Sequence, residues 1–343
     1  MKLSHSALDL YKTCPRAYQI KYIERYAEKY LSSALWFGSG IGDTLSLICL
    51  DKKQNLTDEE KTIMGTDPYE FFDKHISTGI LNGREIQLIN SNEVVYFRGD
   101  YDETILHPED HEIIEKYRKD NGFEEFHTFE ALYNDLKSGR LDDAEKSFIN
   151  LMFWLSVRRR GHLIIKEYID KVYPLIVEVE EIEGEISIQN GEGDEIRGFL
   201  DMLCTMEIDG EVKRVIVDHK TSSSKYSKNK IQESQQLSLY DYDREVGFVG
   251  YIVAIKKVKT PKRGPRKGET HTEIQMMFET IPEETQEGFI ADADGILNAI
   301  KCGEFPKTEN ENQCKFMFGR SCSFWKACKE NDYSDLYKKP ERK

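Results

Sequence analysis

A chain of 343 residues with 39% hydrophobic and 11% aromatic content carries enough apolar material for a substantial core, which excludes a wholly disordered protein. A net charge of −14 excludes a protein that coats nucleic acid indiscriminately, because phosphate attraction is the main sequence-independent binding term. Any nucleic-acid site must therefore be a local basic patch. The opening MKLSHSALDL lacks the basic-then-apolar order of a secretory signal, and no apolar run is read as approaching the roughly 20 residues that cross a bilayer, so a cytoplasmic chain without a membrane partner is expected. Seven cysteines in such a compartment stay reduced, which favours metal or cluster ligation over disulfides.

In chain order, residues 4–31 place Leu8, Tyr11, Tyr18, Tyr22 and Tyr26 near helical spacing with a break at Cys14-Pro15, predicting two short helices with a cysteine at their junction. Residues 33–50 predict a glycine-rich entry into a buried helix. The stretch 55–165 is charged and helical in period, apart from a strand-like run from Glu93 to Phe97, and is expected to be a helical insertion. Arg158, Arg159 and Arg160 follow the apolar run Phe148 to Leu155, where cations suit the C-terminal end of a helix; contact with DNA is the competing reading. After Tyr173 the period changes to alternation. Strands are predicted at 175–188, 197–208, 211–220 and 248–258, with a helix over 230–245 between the third and fourth.

The sequence Asp209-Gly210 between two strand-like runs predicts a two-residue type I′ hairpin. That turn sets the register: with Ile208 facing Glu211, counting back puts Asp201 opposite Asp218. Like charges so placed are destabilising unless something positive lies between them, and a divalent cation is the natural occupant. Lys220, two residues beyond Asp218, shares its face, whereas His219 points the other way. Carboxylate oxygens with retained waters suit Mg²⁺ or Mn²⁺, and two acids with an ammonium suit phosphodiester hydrolysis. An isolated Asp-x-Lys is often only an exposed ion pair; its coincidence with Asp201 raises it above that.

With these residues in place a resemblance emerges. Gly198-Phe199-Leu200-Asp201, then Asp218-His219-Lys220-Thr221, then Gln236-Leu237-Ser238-Leu239-Tyr240 resemble the three motifs of the RecB-like branch of the PD-(D/E)XK nucleases. The resemblance implies an α/β fold with a central mixed β-sheet flanked by helices, a restriction-endonuclease-like core. It implies Asp201 and Asp218 as ligands of Mg²⁺ or Mn²⁺, Lys220 as catalytic, and Gln236 and Tyr240, four apart on one helix face, as lining the site. The family often carries a Gly-x-x-x-His element on an early helix. Here Gly38-Ser39-Gly40-Ile41-Gly42-Asp43 has glycine in the histidine's place, which leaves Asp43, Glu178 and Glu180, in that order, as candidates for the third ligand.

Tyr11 to Tyr18, around Cys14-Pro15, is similar to the N-terminal segment of the cluster-bearing members of that branch, AddB-like and CRISPR-associated. The resemblance implies a structural [4Fe–4S] cluster on Cys14, Cys314, Cys322 and Cys328 that clamps the chain ends together. Zn²⁺ and bare thiols are the alternatives, since the gap from Cys314 to Cys322 is wider than the family's; Cys49, Cys204 and Cys302 are read as non-ligands. Seven of the twelve residues from Lys256 to Lys267 are basic, among prolines and glycines, so Lys262, Arg263, Arg266 and Lys267 are expected to track DNA phosphates. The domain plan is an N-terminal segment 1–54, the insertion 55–165, the catalytic core 166–300 and a cysteine tail 301–343 that packs back on the N-terminus. The function implied is a DNA exonuclease of recombination, repair or phage replication in a bacterial or phage-infected cell, with a helicase, recombinase or single-strand-binding protein as further partners. A non-catalytic DNA-binding or assembly subunit on the same fold is the second reading.

Overall fold

The computed structural model describes residues 1–29, 33–81, 83–88, 101–123, 128–137, 140–189, 193–308, 314 and 322–340. The strand-like run Glu93 to Phe97 lies outside them. The first half of the chain holds β1 (Lys2–Ser4), α1 (His5–Thr13), α2 (Pro15–Tyr18), β2 (Tyr26–Glu28), α3 (Ser33–Ile48), α4 (Asp58–Ile63), α5 (Pro68–Ile76), the hairpin β3 (Thr78–Leu81) and β4 (Arg84–Gln87), α6 (Pro108–Asp120), α7 (Phe129–Lys137) and α8 (Asp143–Lys171). The second half holds β5 (Ile176–Gln189), β6 (Glu195–Ile208), β7 (Glu211–Ser222), α9 (Gln235–Arg244), β8 (Val249–Lys259), β9 (His271–Glu279), α10 (Glu283–Lys301), α11 (Trp325–Lys329) and β10 (Leu336–Lys338).

The four predicted strands are β5 to β8. A mixed six-stranded sheet runs β1-β6-β7-β8-β9, with β5 on the other edge of β6; β1–β6 and β7–β8 are parallel and the rest antiparallel. One face buries Met202, Cys204, Val215 and Val217 against α3, α5 and α8; the other buries Leu203, Ile216, Val249 and Val253 against α1, α9 and α10. This is the α/β architecture expected, a central mixed sheet with helices on both faces.

Three expectations are corrected. The segment 55–165 is not purely helical, because Thr78–Leu81 and Arg84–Gln87 pair as a hairpin. The helix begun before Phe148 does not stop at the arginines: α8 starts on an Asp142–Glu145 capping box and continues to Lys171. Arg158 and Arg159 therefore lie mid-helix, where they pair with Asp73 and Asp110. Finally, Ser33–Lys52 is long and apolar enough to cross a membrane, but most of it is buried against the sheet.

β6 is the strand that positions everything else. Along one edge it pairs with β5 from Glu195 to Met206, with bulges on the β5 side; along the other it pairs with β1 only at Glu195–Arg197 and with β7 only at Met202–Ile208. Among the described residues no strand pairs with 198–201 on that edge, which leaves a notch between β1 and β7. At the far end of the β6–β7 ribbon, Asp209 (φ 53°) and Gly210 (φ 80°) form the expected turn, and the register Ile208↔Glu211 runs to Met202↔Val217.

Candidate active site in the notch of the sheet

Asp201 is the first residue past the β6–β7 ladder and lies in the notch, where its Oδ2 accepts a 2.6 Å hydrogen bond from the backbone N–H of His219. Across β5–β6, the pairs Ile182↔Met202 and Gly184↔Leu200 bracket a gap, so Glu183 faces Asp201. Glu183 has φ 51°, the left-handed region that a side chain rarely adopts. There both strands exchange faces: Ile186 and Leu200 belong to the core beside α9, Ile182 and Met202 to the core beside α8. The paired kink turns both acids toward the notch.

Asp218 and Lys220 come from β7. Asp218 is fully buried, and the Lys220 Nζ stands 2.6 Å from its Oδ2. The contact is an ion pair, and neither carboxylate oxygen has a hydrogen-bond partner among the described residues. Burial pushes the Asp218 carboxyl up to about 7, against the pull of Lys220 and with the help of Asp201. Asp201 is raised in the same direction by burial, opposed by Lys220 and the His219 N–H and reinforced by Asp43. Burial lowers the Lys220 value, but Asp218 and Asp201 outweigh it and hold the ammonium up at about 12. Glu183 is solvent-exposed by surface area, yet crowding by surrounding atoms, then Asp201, Asp43 and Asp218, pushes it up to about 7.

His219 points to the opposite face, where its Nε2 meets the Tyr168 hydroxyl at 3.1 Å and burial lowers its pKa to about 4, which makes it a neutral packing group. On α9, capped by Ser234, Gln236 Nε2 donates to the Tyr240 hydroxyl at 2.5 Å, and that hydroxyl donates to the Phe199 carbonyl at 2.6 Å. Tyr240 thus ties α9 to the backbone of β6 two residues before Asp201. Gly198 permits this approach, since a Cβ there would lie 3.3 Å from the Tyr240 ring.

Of the three candidates for a further acid, Asp43 on α3 comes within electrostatic reach of Asp201 and Glu183. Glu180 is held by Arg214 in a paired contact, and Glu178 faces Thr205 five residues along the strand, so both are corrected away from the site. Glu183 is the residue that sequence reasoning missed. Its local signal was weak: Glu183-Gly184 looks like one more alternation in an acidic strand, and only the β5–β6 register reveals that it faces Asp201.

Among the described residues no three His, Cys, Asp or Glu side chains converge tightly enough to hold a metal ion. The donor set nevertheless fits one: two buried carboxylate oxygens without hydrogen bonds, beside a second acid that raises their proton affinity, are the hard oxygen donors a divalent cation takes. Elsewhere, Cys14 shares a small core with Phe324, Ala327 and Leu336, and Cys322 and Cys328 pack against it. Cys322 N–H donates to Cys314 O at 2.7 Å, and burial followed by Cys14, Cys314 and Cys328 raises the Cys322 thiol to about 11. β10 pairs with β2 beside them. Cys49 and Cys204 lie in the core under β6, and Cys302 is exposed.

The basic loop joins β8 to β9. Lys262, Arg263 and Lys267 are exposed, whereas Arg266 binds Glu269 and the buried Glu167 of α8, on the face opposite Lys220.

No curated protein matches the chain. Among solved structures, one titled "Crystal structure of SSO0001" is 21% identical over 35% of this chain, with a TM-score of 0.22, and the chain spans about half (51%) of that one's length. The sequence profile of the PD-(D/E)XK nuclease superfamily, whose nucleases typically use divalent metals, matches residues 110–329, well over half of the chain and including β5 to β9. The chain belongs to the PD-(D/E)XK nuclease superfamily.

Proposed function

We propose that this protein is a Mg²⁺- or Mn²⁺-dependent nuclease that hydrolyses phosphodiester bonds in DNA, as an exonuclease of the RecB-like branch acting in recombination, repair or phage replication. The observation that carries the reading is the notch in β6, where Asp201, Asp218 and Lys220 meet at the end of one ribbon with orphaned carboxylate oxygens.

In this reading Asp201 and Asp218 hold the ion, with Asp43 and Glu183 as the flanking acids. The ion, when bound, supplies Lewis acidity toward the phosphoryl oxygen and a site at which water is acidified. Lys220 stays protonated, since its pKa is near 12, and so serves as a fixed positive group for the negative charge that gathers on the phosphoryl oxygens in the transition state. Gln236 and Tyr240 brace the Phe199 carbonyl and with it the approach to Asp201. Lys262, Arg263 and Lys267 supply phosphate contacts for a chain that is otherwise acidic. The basis for proposing a structural [4Fe–4S] cluster that ties the two chain ends is the small core shared by Cys14, Cys322 and Cys328, with Cys314 joined to Cys322 by a backbone hydrogen bond; among the described residues the four thiols are not gathered at ligand spacing.

Incubation of the purified protein with labelled linear and circular DNA, in Mg²⁺, Mn²⁺ or EDTA, tests this beside Asp218→Ala and Lys220→Ala. Degradation of linear DNA by the wild type only, and only with metal, is expected. Equal degradation by all three proteins would mean that these residues do not carry the chemistry. DNA binding by wild type and both variants with no cleavage in any metal would favour the non-catalytic subunit.

A further inference from the structure

We propose that His75, on α5, is a positioning residue that holds the Asp43 carboxylate toward the acids of the notch. The inference rests on the metal-dependent reading above. Its geometry stands on two contacts. The His75 Nδ1 lies 3.3 Å from Asp43 Oδ2. One turn earlier on α3, Gly40 leaves the room that the ring needs, since a Cβ there would stand 2.9 Å from His75 Cδ2.

The mount behind His75 is firm. Phe72 is fully buried and meets Phe37 of α3 edge-on at 5.9 Å. Asp73 ties α5 to α8, with Arg158 and His162 each 2.7 Å away. A side chain at position 75 is thus delivered to α3 by a helix clamped on both sides. Asp43 needs such an anchor. It is about half exposed, and the acids it faces, Asp201 and Glu183, repel it toward solvent. A short carboxylate on a helix facing like charges would otherwise choose a rotamer that points away. Ser39, one turn earlier on α3, also hydrogen-bonds the Asp43 carboxylate, so His75 supplies the hold from outside α3 and Ser39 the hold from within it. This is the logic by which an outer partner orients an inner ligand. Both residues lie outside residues 110–329, the stretch that the superfamily profile matches.

The test measures Mn²⁺ affinity of the intact chain by electron paramagnetic resonance of the free ion, in wild type, Asp218→Asn, His75→Ala, His75→Asn, Asp43→Asn and the double variant Asp43→Asn with His75→Ala. His75→Ala is expected to weaken Mn²⁺ binding about tenfold and His75→Asn, which keeps a donor near Nδ1, to restore most of it. In the Asp43→Asn background the same His75 substitution is expected to add nothing, the signature of action through Asp43 rather than through general packing. If His75→Ala leaves affinity within about twofold of wild type, or weakens it equally in both backgrounds, the positioning role is wrong. If instead wild type and Asp218→Asn bind Mn²⁺ equally poorly, the metal-dependent reading itself fails, and this inference falls with it.

Discussion

Asp218→Asn should stabilise the metal-free protein. The Asp218 side chain is fully buried, its oxygens lack hydrogen bonds, and its pKa is displaced from 3.8 to about 7. A rise of about three units corresponds to ~4 kcal/mol against the charged form, a ceiling that already includes the attraction of Lys220. Removing the charge also takes a partner from Lys220, which keeps Asp201, so a net gain of about 1–2 kcal/mol is expected. The sign follows from linkage. Because the folded-state pKa lies above the unfolded one, the unfolded chain releases its proton first, and wild-type stability falls as pH rises from about 4 through about 7. Asparagine does not titrate, so the gap between variant and wild type should be absent below about pH 4, open through 7 and stay constant above. Urea unfolding in EDTA at about pH 5 and pH 8 measures it, with the higher midpoint for the variant at the upper pH. Adding about 10 mM Mg²⁺ should reverse the order, since an ion that binds the folded wild type preferentially stabilises it by mass action. A variant less stable than wild type in EDTA at pH 8, or a gap that does not grow with pH, would refute the account of Asp218 as a strained acid awaiting a cation.

Further outcomes follow from other parts of the structure. Neutralising Lys262, Arg263 and Lys267 together should flatten the salt dependence of DNA affinity, by up to about three in the log–log slope, whereas Arg266→Ala should lower thermal stability, because its guanidinium is engaged with Glu167 and Glu269; filter binding across a salt series separates the two. Gly161→Ala should destabilise the fold by roughly 2–4 kcal/mol, since a Cβ there would lie 1.9 Å from the ring of fully buried Phe72, as checked by the denaturation midpoint. Cys322→Ser should lower the iron content of an anaerobic preparation and expose the segment around β10 to protease, read by iron assay and limited proteolysis; unchanged iron would remove the cluster from the proposal.

Much of the site could be read from the sequence because a two-residue turn fixes register. Asp209-Gly210 alone gives the register that holds down to Met202↔Val217; the next pair it implies, Asp201 directly opposite Asp218, is not formed, and Asp201 instead accepts the His219 N–H through its carboxylate. The same reasoning could not find Glu183, because five residues separate Gln189 from Glu195, more than the two whose turn type fixes a register, and its backbone departs from the strand conformation that alternation assumes. Nor could it find His75, which meets Asp43 through the packing of two helices separated by a loop and a short helix. The arginine run misled for a related reason: a cation suits a helix end, but also suits a helix middle when an acid from another element faces it, as Asp73 and Asp110 do. β1 went unread because three residues carry too little period, and β9 because its buried positions, His271 and Thr272, are polar while apolar Met276 is exposed, which hides the alternation.

A strand that changes neighbours midway has a seam. The front of β6 travels with β1, and its rear with β7, and the two halves join through a single kinked peptide stretch opposite Glu183. β5 spans this seam and pairs with both halves, so the relative twist of the two halves is set where Glu183 faces Asp201, and with it the placement of Asp201 beside Asp218.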